Sequence, residues 1–254
     1  MPIKFKQFSM RFKPLTLGLS LFLSPVLLGA PGSVTVVYEH NTPGHAGWMF
    51  QRVKGPSSND YADRSMGHAT VSIPTTNLVQ GAKALALKDK VQVLFDGLVP
   101  TSDGLDKKTG VQDYERAIYF DNQPNDGRPN RVLISLDSVQ PLFKINTYTW
   151  HDNIRANQFF KVYYSDAPVA PASGDAVASD AELLANGWSL LTTVQTQAPS
   201  PESPQVVSSV RSTSPAPMCR AKHILIDIFH PFGEKVPFGT LFGEIDIHTT
   251  RSGE

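Results

Sequence analysis

Hydrophobic and polar positions alternate at period two through most of this chain, and that alternation predicts strands. "SVTVVYE" (Ser33 to Glu39) sets Val34, Val36 and Tyr38 on one face. "ATVSI" (Ala69 to Ile73), "KVQVLFDG" (Lys90 to Gly97), "RVLISL" (Arg131 to Leu136) and "FKINTYTWH" (Phe143 to His151) follow. "QFFKVYYSD" (Gln158 to Asp166), "WSLLTTVQT" (Trp188 to Thr196), "HILIDIF" (His223 to Phe229) and "TLFGEIDIH" (Thr240 to His248) complete the set. These runs are rich in β-branched and aromatic residues and are bounded by Gly, Pro, Asn and Asp. In the last of them, Leu241, Gly243, Ile245 and Ile247 fall on one side, and Phe242, Glu244, Asp246 and His248 on the other.

One segment has helical signals. "SDAELLANG" (Ser179 to Gly187) offers Ser179 as N-cap, Glu182 three residues on, and an Asn-Gly stop. No long helices alternate with the strands, which excludes a doubly wound parallel sheet. The fold class is therefore all-β, an antiparallel sandwich with long loops and one short helix. The loops span 40–68, 101–128, 167–187 and 197–217. Two stretches rich in Pro, Ser and Ala, Ala167 to Ser179 and Gln197 to Pro217, read as flexible surface loops. Only 37 residues follow Pro217, too few strands for a second domain, so 31–254 reads as one domain with insertions.

The N-terminus changes the picture. Lys4, Lys6, Arg11 and Lys13 precede "LTLGLSLFLSPVLLGA" (Leu15 to Ala30), an uncharged run shorter than a bilayer span and interrupted by Pro25. This is the pattern of a secretory signal peptide over 1–30, and it implies a secreted, periplasmic or extracellular location with no membrane span in the mature chain. Of 254 residues, 41% are apolar, and Lys+Arg and Asp+Glu number 23 each. Removal of 1–30 would leave 19 basic residues against 23 acidic, a net charge of −4. That balance argues against nucleic acid as a partner. The single cysteine, Cys219, cannot form an internal disulfide, so the core, with any bound ion, must supply stability.

Catalytic patterns are missing. There is no G-x-S-x-G elbow, no H-E-x-x-H and no phosphate loop. Glu244 and Asp246 stand about 7 Å apart on one strand face, which fits a carboxylate pair. A strand with ordinary surface charge would look the same, and Asp246 and His248 read as solvated. Sugar binding needs aromatic faces and hydrogen-bonding side chains. The 40–68 loop supplies Trp48, Tyr61 and Arg64, the loop after Trp150 supplies His151 and Arg155, and the loop after Phe229 supplies Phe232. Trp48 is the candidate exposed platform, whereas Trp150 and Trp188 read as packing residues.

The order of segments carries a resemblance. "LFDGLVP" (Leu94 to Pro100), "RVLISLDSVQPLFKINTYTWHD" (Arg131 to Asp152), "RANQFFKVYYSD" (Arg155 to Asp166), "GWSLLTTV" (Gly187 to Val194) and the closing "FGEIDIH" succeed one another. Over Lys90 to His248 this resembles the discoidin-like, coagulation-factor type C family of the galactose-binding-like β-sandwich superfamily. It departs from that family in lacking the end-to-end cysteine pair and in its longer loops. The resemblance implies an eight-stranded jelly roll, non-catalytic, binding glycan, lipid or protein through loops at one end. It also implies a structural Ca²⁺ near the "DG" turn, for which Asp96, Asp103 and Glu244 are the side chains to test. For Asp96, a turn residue beside Gly97 is the plain alternative. The expected function is a secreted, non-enzymatic carbohydrate-binding module taking a glycan or an extracellular polymer. An extracellular protein-interaction or structural domain is the alternative, with a jelly-roll polysaccharide lyase or hydrolase behind it.

Overall fold

The structure is a computed structural model. It describes residues 32–41, 50–73, 91–100, 116–120, 129–150, 156–170, 179–196, 205–229 and 239–251. The chain divides into two units, 1–30, which lies outside the described residues, and 31–254, which holds every element below.

Ten strands are present among the described residues. They are β1 (Val34–His40), β2 (Ala69–Ser72), β3 (Ile118–Phe120), β4 (Asn130–Leu142), β5 (Lys144–Trp150), β6 (Phe159–Ser165), β7 (Ser189–Gln195), β8 (Gln205–Ser212), β9 (Cys219–Ile228) and β10 (Thr240–His248). They form two five-stranded sheets, β1-β8-β5-β10-β3 and β2-β4-β9-β6-β7, and every pairing is antiparallel. This is the all-β sandwich that the alternation predicts, with two strands more than the resemblance implies.

The core lies between the sheets. Ile145 of β5, Val210 of β8 and Phe242, Ile245 and Ile247 of β10 face Val132 and Ile134 of β4, Phe160 and Val162 of β6, and Ile224 and Ile226 of β9. Phe242 joins the two layers, with its ring edge-on to Phe120 at 5.6 Å and to Phe160 at 6.1 Å. Such edge-to-face pairs add to the stabilisation from burial.

Both outer faces are also covered, which is unusual for an antiparallel sandwich with one wet side per sheet. On the first sheet, Tyr148 and Val207 are buried beneath Val53, with Phe50 and Val99 beside them. Trp150 packs there too, against Leu241 and Ala117. On the second sheet the cover is α1 (Asp180–Ala185), which buries Leu183 with Trp188, Tyr163 and Leu225. Ser179 caps α1 in the expected capping box with Glu182.

Four expectations need correction. The run Lys90 to Gly97 forms a short 3₁₀ helix, Val91–Phe95, whose Leu94 and Phe95 fill the core. The 197–217 loop contains β8, a strand between β1 and β5 whose Val206, Val207 and Val210 are buried. Its flanking Pro and Ser residues hid a valine run from a reading by composition. The 101–128 loop contains β3, three residues long on a sheet edge. Finally, the pairing of β10 with β5 shifts register between Phe242 and Glu244. A bulge at Gly243 therefore sends Phe242 inward with Ile245 and Ile247, and Leu241 outward against Trp150. A Cβ at Gly243 would stand 2.9 Å from Pro100 Cδ, so the bulge packs tightly against its cover.

One charged pair is sealed on the outer side of the second sheet. Arg131 and Asp227 sit opposite one another on β4 and β9, with Nε to Oδ1 at 2.8 Å and Nη2 to Oδ2 at 3.1 Å. Both are fully buried. Removing one partner strands the other charge in a dry site. Asp227→Ala is expected to lower stability by about 3–5 kcal/mol, read as a lower urea midpoint with an unchanged slope. The double variant Arg131→Met/Asp227→Leu should recover most of that loss; failure to recover it would show that the charges themselves are needed.

Candidate functional site

The bulge at Gly243 puts Glu244, Asp246 and His248 on the outer face of β10. That face is roofed by residues 50–66 and 91–100, so Glu244 and Asp246 are wholly buried, and the expectation of a solvated Asp246 is wrong. The roof adds a third acid. Asp60 is buried in the turn before Tyr61, and its Oδ1 accepts from Ala62 N–H and Ile247 N–H, both at 2.9 Å. Ligand-capable oxygens of Asp60, Glu244 and Asp246 all lie within 4.8 Å of one another.

Asp60 and Glu244 are each half-satisfied, whereas both oxygens of Asp246 have partners. Glu244 Oε2 accepts from the backbone N–H groups of Asp96, at 3.2 Å, and Gly97, at 3.0 Å. Asp246 Oδ2 accepts from the Tyr148 hydroxyl at 3.1 Å, and both its oxygens accept from Ser57 N–H at 3.3 Å. Asp60 Oδ2, Glu244 Oε1 and Asn146 Oδ1 have no hydrogen-bond partner among the described residues, although all are buried. Orphaned acceptors of this kind are rare, because each forfeits its hydration on burial.

Burial and mutual repulsion set the charge state. Desolvation, then the nearby Asp246, pushes the Glu244 carboxyl up to about 10. The same two causes raise Asp60 to about 7. The Tyr148 phenol is driven well above its ordinary value, first by burial and then by Asp246, so it stays a donor. His248 Nε2 lies 3.8 Å from Asp246 Oδ2 and can answer at most one of the three charges, so the cluster must otherwise take up protons or a metal. The donor set consists of hard carboxylate oxygens, which suits Ca²⁺ and gives little to a soft metal. The residues therefore fit the ion that the resemblance implies.

Among the expected metal residues, Glu244 is in this cluster. The Asp96 carboxylate instead caps its own turn, accepting from Leu98 N–H at 3.0 Å and facing Arg64 Nη1 at 3.7 Å. It is the main chain of Asp96 and Gly97 that serves Glu244. Gly97 has φ of +71°, and a Cβ there would stand 2.7 Å from Ser58 Cα, so the turn requires glycine. Asp103 lies outside the described residues. Asp60 was missed because it lies in a polar loop, and Asp246 because the loop above it gave no sign of its burial.

Of the expected ligand residues, Trp48, His151, Arg155 and Phe232 also lie outside the described residues. The strand ends beside those segments are described, and they lie together. His40 pairs with Val206, Trp150 with Gln205 and with Leu241, and Phe160 with Ile228. A buried polar network ties the two sheets there. Gln158 Nε2 donates to Thr149 Oγ1 at 2.9 Å and to Thr147 O at 3.2 Å, and Thr147 Oγ1 donates to Gln158 Oε1 at 2.8 Å. Thr240 Oγ1 donates to Asn157 O, and Thr149 Oγ1 donates to Ala156 O. Tyr61 and Arg64 are elsewhere. The Tyr61 ring stacks on His68 at 4.8 Å and its hydroxyl donates to Asp137, at the far end of β4 from that network.

No family model matches the chain, and no curated protein matches it. Similar solved structures include the family 32 carbohydrate-binding module of Clostridium perfringens NanJ in complex with galactose, at 12% identity and TM-score 0.36 over 70% of this chain and 90% of that one. Another is chitosan-binding module 1 from a chitosanase/glucanase of Paenibacillus sp. IK-5, at 14% identity and TM-score 0.36, covering 75% and 98%. Allantoicase of Saccharomyces cerevisiae aligns at 13% identity and TM-score 0.42, covering 74% of this chain and 46% of that one. The fold itself is stated by the two sheets.

The carboxylate cluster predicts how stability depends on pH. An acid whose pKa is higher folded than unfolded holds its proton in the native state after the unfolded chain has lost it. Stability is then lost as pH rises from the ordinary carboxylate range, through about 7 for Asp60 and toward about 10 for Glu244. In chelator, thermal unfolding is expected at a lower temperature at pH 8 than at pH 5.5. Glu244→Gln should flatten that dependence, and a wild-type profile without slope would show the acids to be compensated in some other way.

Proposed function

We propose that this chain is an exported carbohydrate-binding module that performs no chemistry on its ligand, and that a Ca²⁺ ion braces its sandwich. The observation that carries the reading is the gathering of strand ends at one end of the two sheets. The segments holding Trp48, His151, Arg155 and Phe232 join the sandwich at those ends. Gln158 and its neighbours give that end a fixed base, with buried hydrogen bonds crossing from one sheet to the other. A rigid base beneath aromatic and polar loops suits sugars, whose hydroxyls need fixed partners and whose C–H faces need an aromatic surface. A glycan array should show binding that Trp48→Ala abolishes while unfolding stays unchanged. A blank array, or turnover of a polysaccharide by the purified protein, would sink this reading.

Asp60, Glu244 and Asp246 would hold the ion. The cation would supply the positive charge that three buried acids lack, and would replace protons on Glu244 and Asp60. It would act on the fold and not on the ligand. Extracellular modules bind Ca²⁺ weakly, at about 10⁻⁴–10⁻³ M, which accords with export. At a hundredfold excess over the dissociation constant, Ca²⁺ should raise the melting temperature by about 5–10 °C. Glu244→Gln and Asp60→Asn should remove that rise, and an equal response to Mg²⁺ would argue against a Ca²⁺-sized site.

A further inference from the structure

A second site is built on the other sheet. The start of β2, the bulged stretch of β4, the start of β9 and residues 168–170 line an open cleft of about 420 Å³. Such a volume admits one or two sugar rings. His68, Ser135, Asp137, Lys222 and His223 line it. Pro168 and Val169 form an apolar lip, and Val169 is 77% exposed.

Most of the polar groups in the cleft are already engaged. Asp137 accepts from the Tyr61 hydroxyl at 2.6 Å and the Ser138 hydroxyl at 3.0 Å, and it pairs with His68 Nδ1 at 3.0 Å. Those partners hold its carboxyl down at about 2, so it is an anion at neutral pH. Nδ1 of His223 lies 3.0 Å from Ser135 Oγ. Lys222 differs: its ammonium makes no ion pair or hydrogen bond among the described residues. One uncompensated cation therefore stands in a cleft that also holds an ionised carboxylate, two imidazoles and a hydroxyl.

That combination selects among ligands. A bare anion would meet Lys222 but also the repulsion of Asp137. A neutral sugar would leave the ammonium unpaired. A molecule with a carboxylate at one end and hydroxyl donors at the other answers both groups at once. We propose that this cleft binds a uronic acid residue, its carboxylate on Lys222, its hydroxyls donating to Asp137, and its C–H face against Pro168 and Val169. The site shares no residue with the carboxylate cluster or with the loop-bearing end, so it fails or succeeds independently of the function proposed above.

The test is a titration of the full chain at neutral pH with D-glucuronate, D-glucose and acetate, followed by backbone amide NMR shifts. Glucuronate should bind more tightly than either control, with shifts centred on β2, β4 and β9. Lys222→Gln should weaken glucuronate at least tenfold, as expected for loss of a hydrogen bond to a charged group, and leave glucose unchanged. Val169→Glu offers a second reading, because it alters an exposed lip without touching the core, and it should weaken glucuronate by charge repulsion. Glucuronate binding no tighter than glucose, equal binding of acetate, or indifference to both substitutions would overturn the proposal.

Discussion

Two carboxylates leave β10 on the side that residues 50–66 and 91–100 cover, and much of the first sheet is arranged to accommodate them. The bulge at Gly243 turns them outward, and the Gly97 turn brings two N–H groups to one of them. Tyr148 and Ser57 serve the other, while Asp60 enters from the roof. The roof is thus joined to the sheet by hydrogen bonds to acids, by an apolar contact around Val53 and by Ala62, Leu94 and Phe95, which reach the core. Because three acids share one dry space, attachment of the roof is coupled to whatever neutralises them. Proton and cation are alternative answers to the same electrostatic problem.

The second sheet solves a similar problem in a closed form. Arg131 and Asp227 bring both signs of charge into the interface and satisfy each other through two parallel bonds. On the same outer face α1 buries Leu183 with Trp188. The contrast separates structural charge from charge that invites a ligand. A pair balanced within the chain stabilises the fold, whereas an unbalanced group, such as the three acids or Lys222, marks a place where something else can bind.

Most of the sandwich is legible in the alternation of the sequence. β1, β2, β4 to β7, β9 and β10 all lie on runs where apolar residues recur at period two, and the cap of α1 follows from Ser179 and Glu182. β8 was not legible because Ser208 and Ser209 are buried polar residues in a Pro- and Ser-rich setting, where composition outweighed three valines. The 3₁₀ helix at Val91–Phe95 reads as a strand because "VQVLF" has strand composition, and only its packing on the core distinguishes the two. Within the candidate metal site, Glu244 could be found from the resemblance. Asp60 and Asp246 could not, since a loop folding over a strand face is a tertiary event that leaves no periodic trace.

The pairing of β1 has a consequence for how the protein reaches this fold. β1 occupies one edge of the first sheet and bonds only to β8, residue 34 opposite residue 212. β5 and β10 also pair at long range, from 144–150 to 241–248. The first sheet therefore cannot be assembled in the order in which it is synthesised; its earliest strand waits for β8. Chains dominated by such distant pairings fold slowly, over milliseconds to seconds, because loop-closure entropy is lost before the contacts repay it. The first sheet is therefore complete only once β10, which ends at His248, has been made.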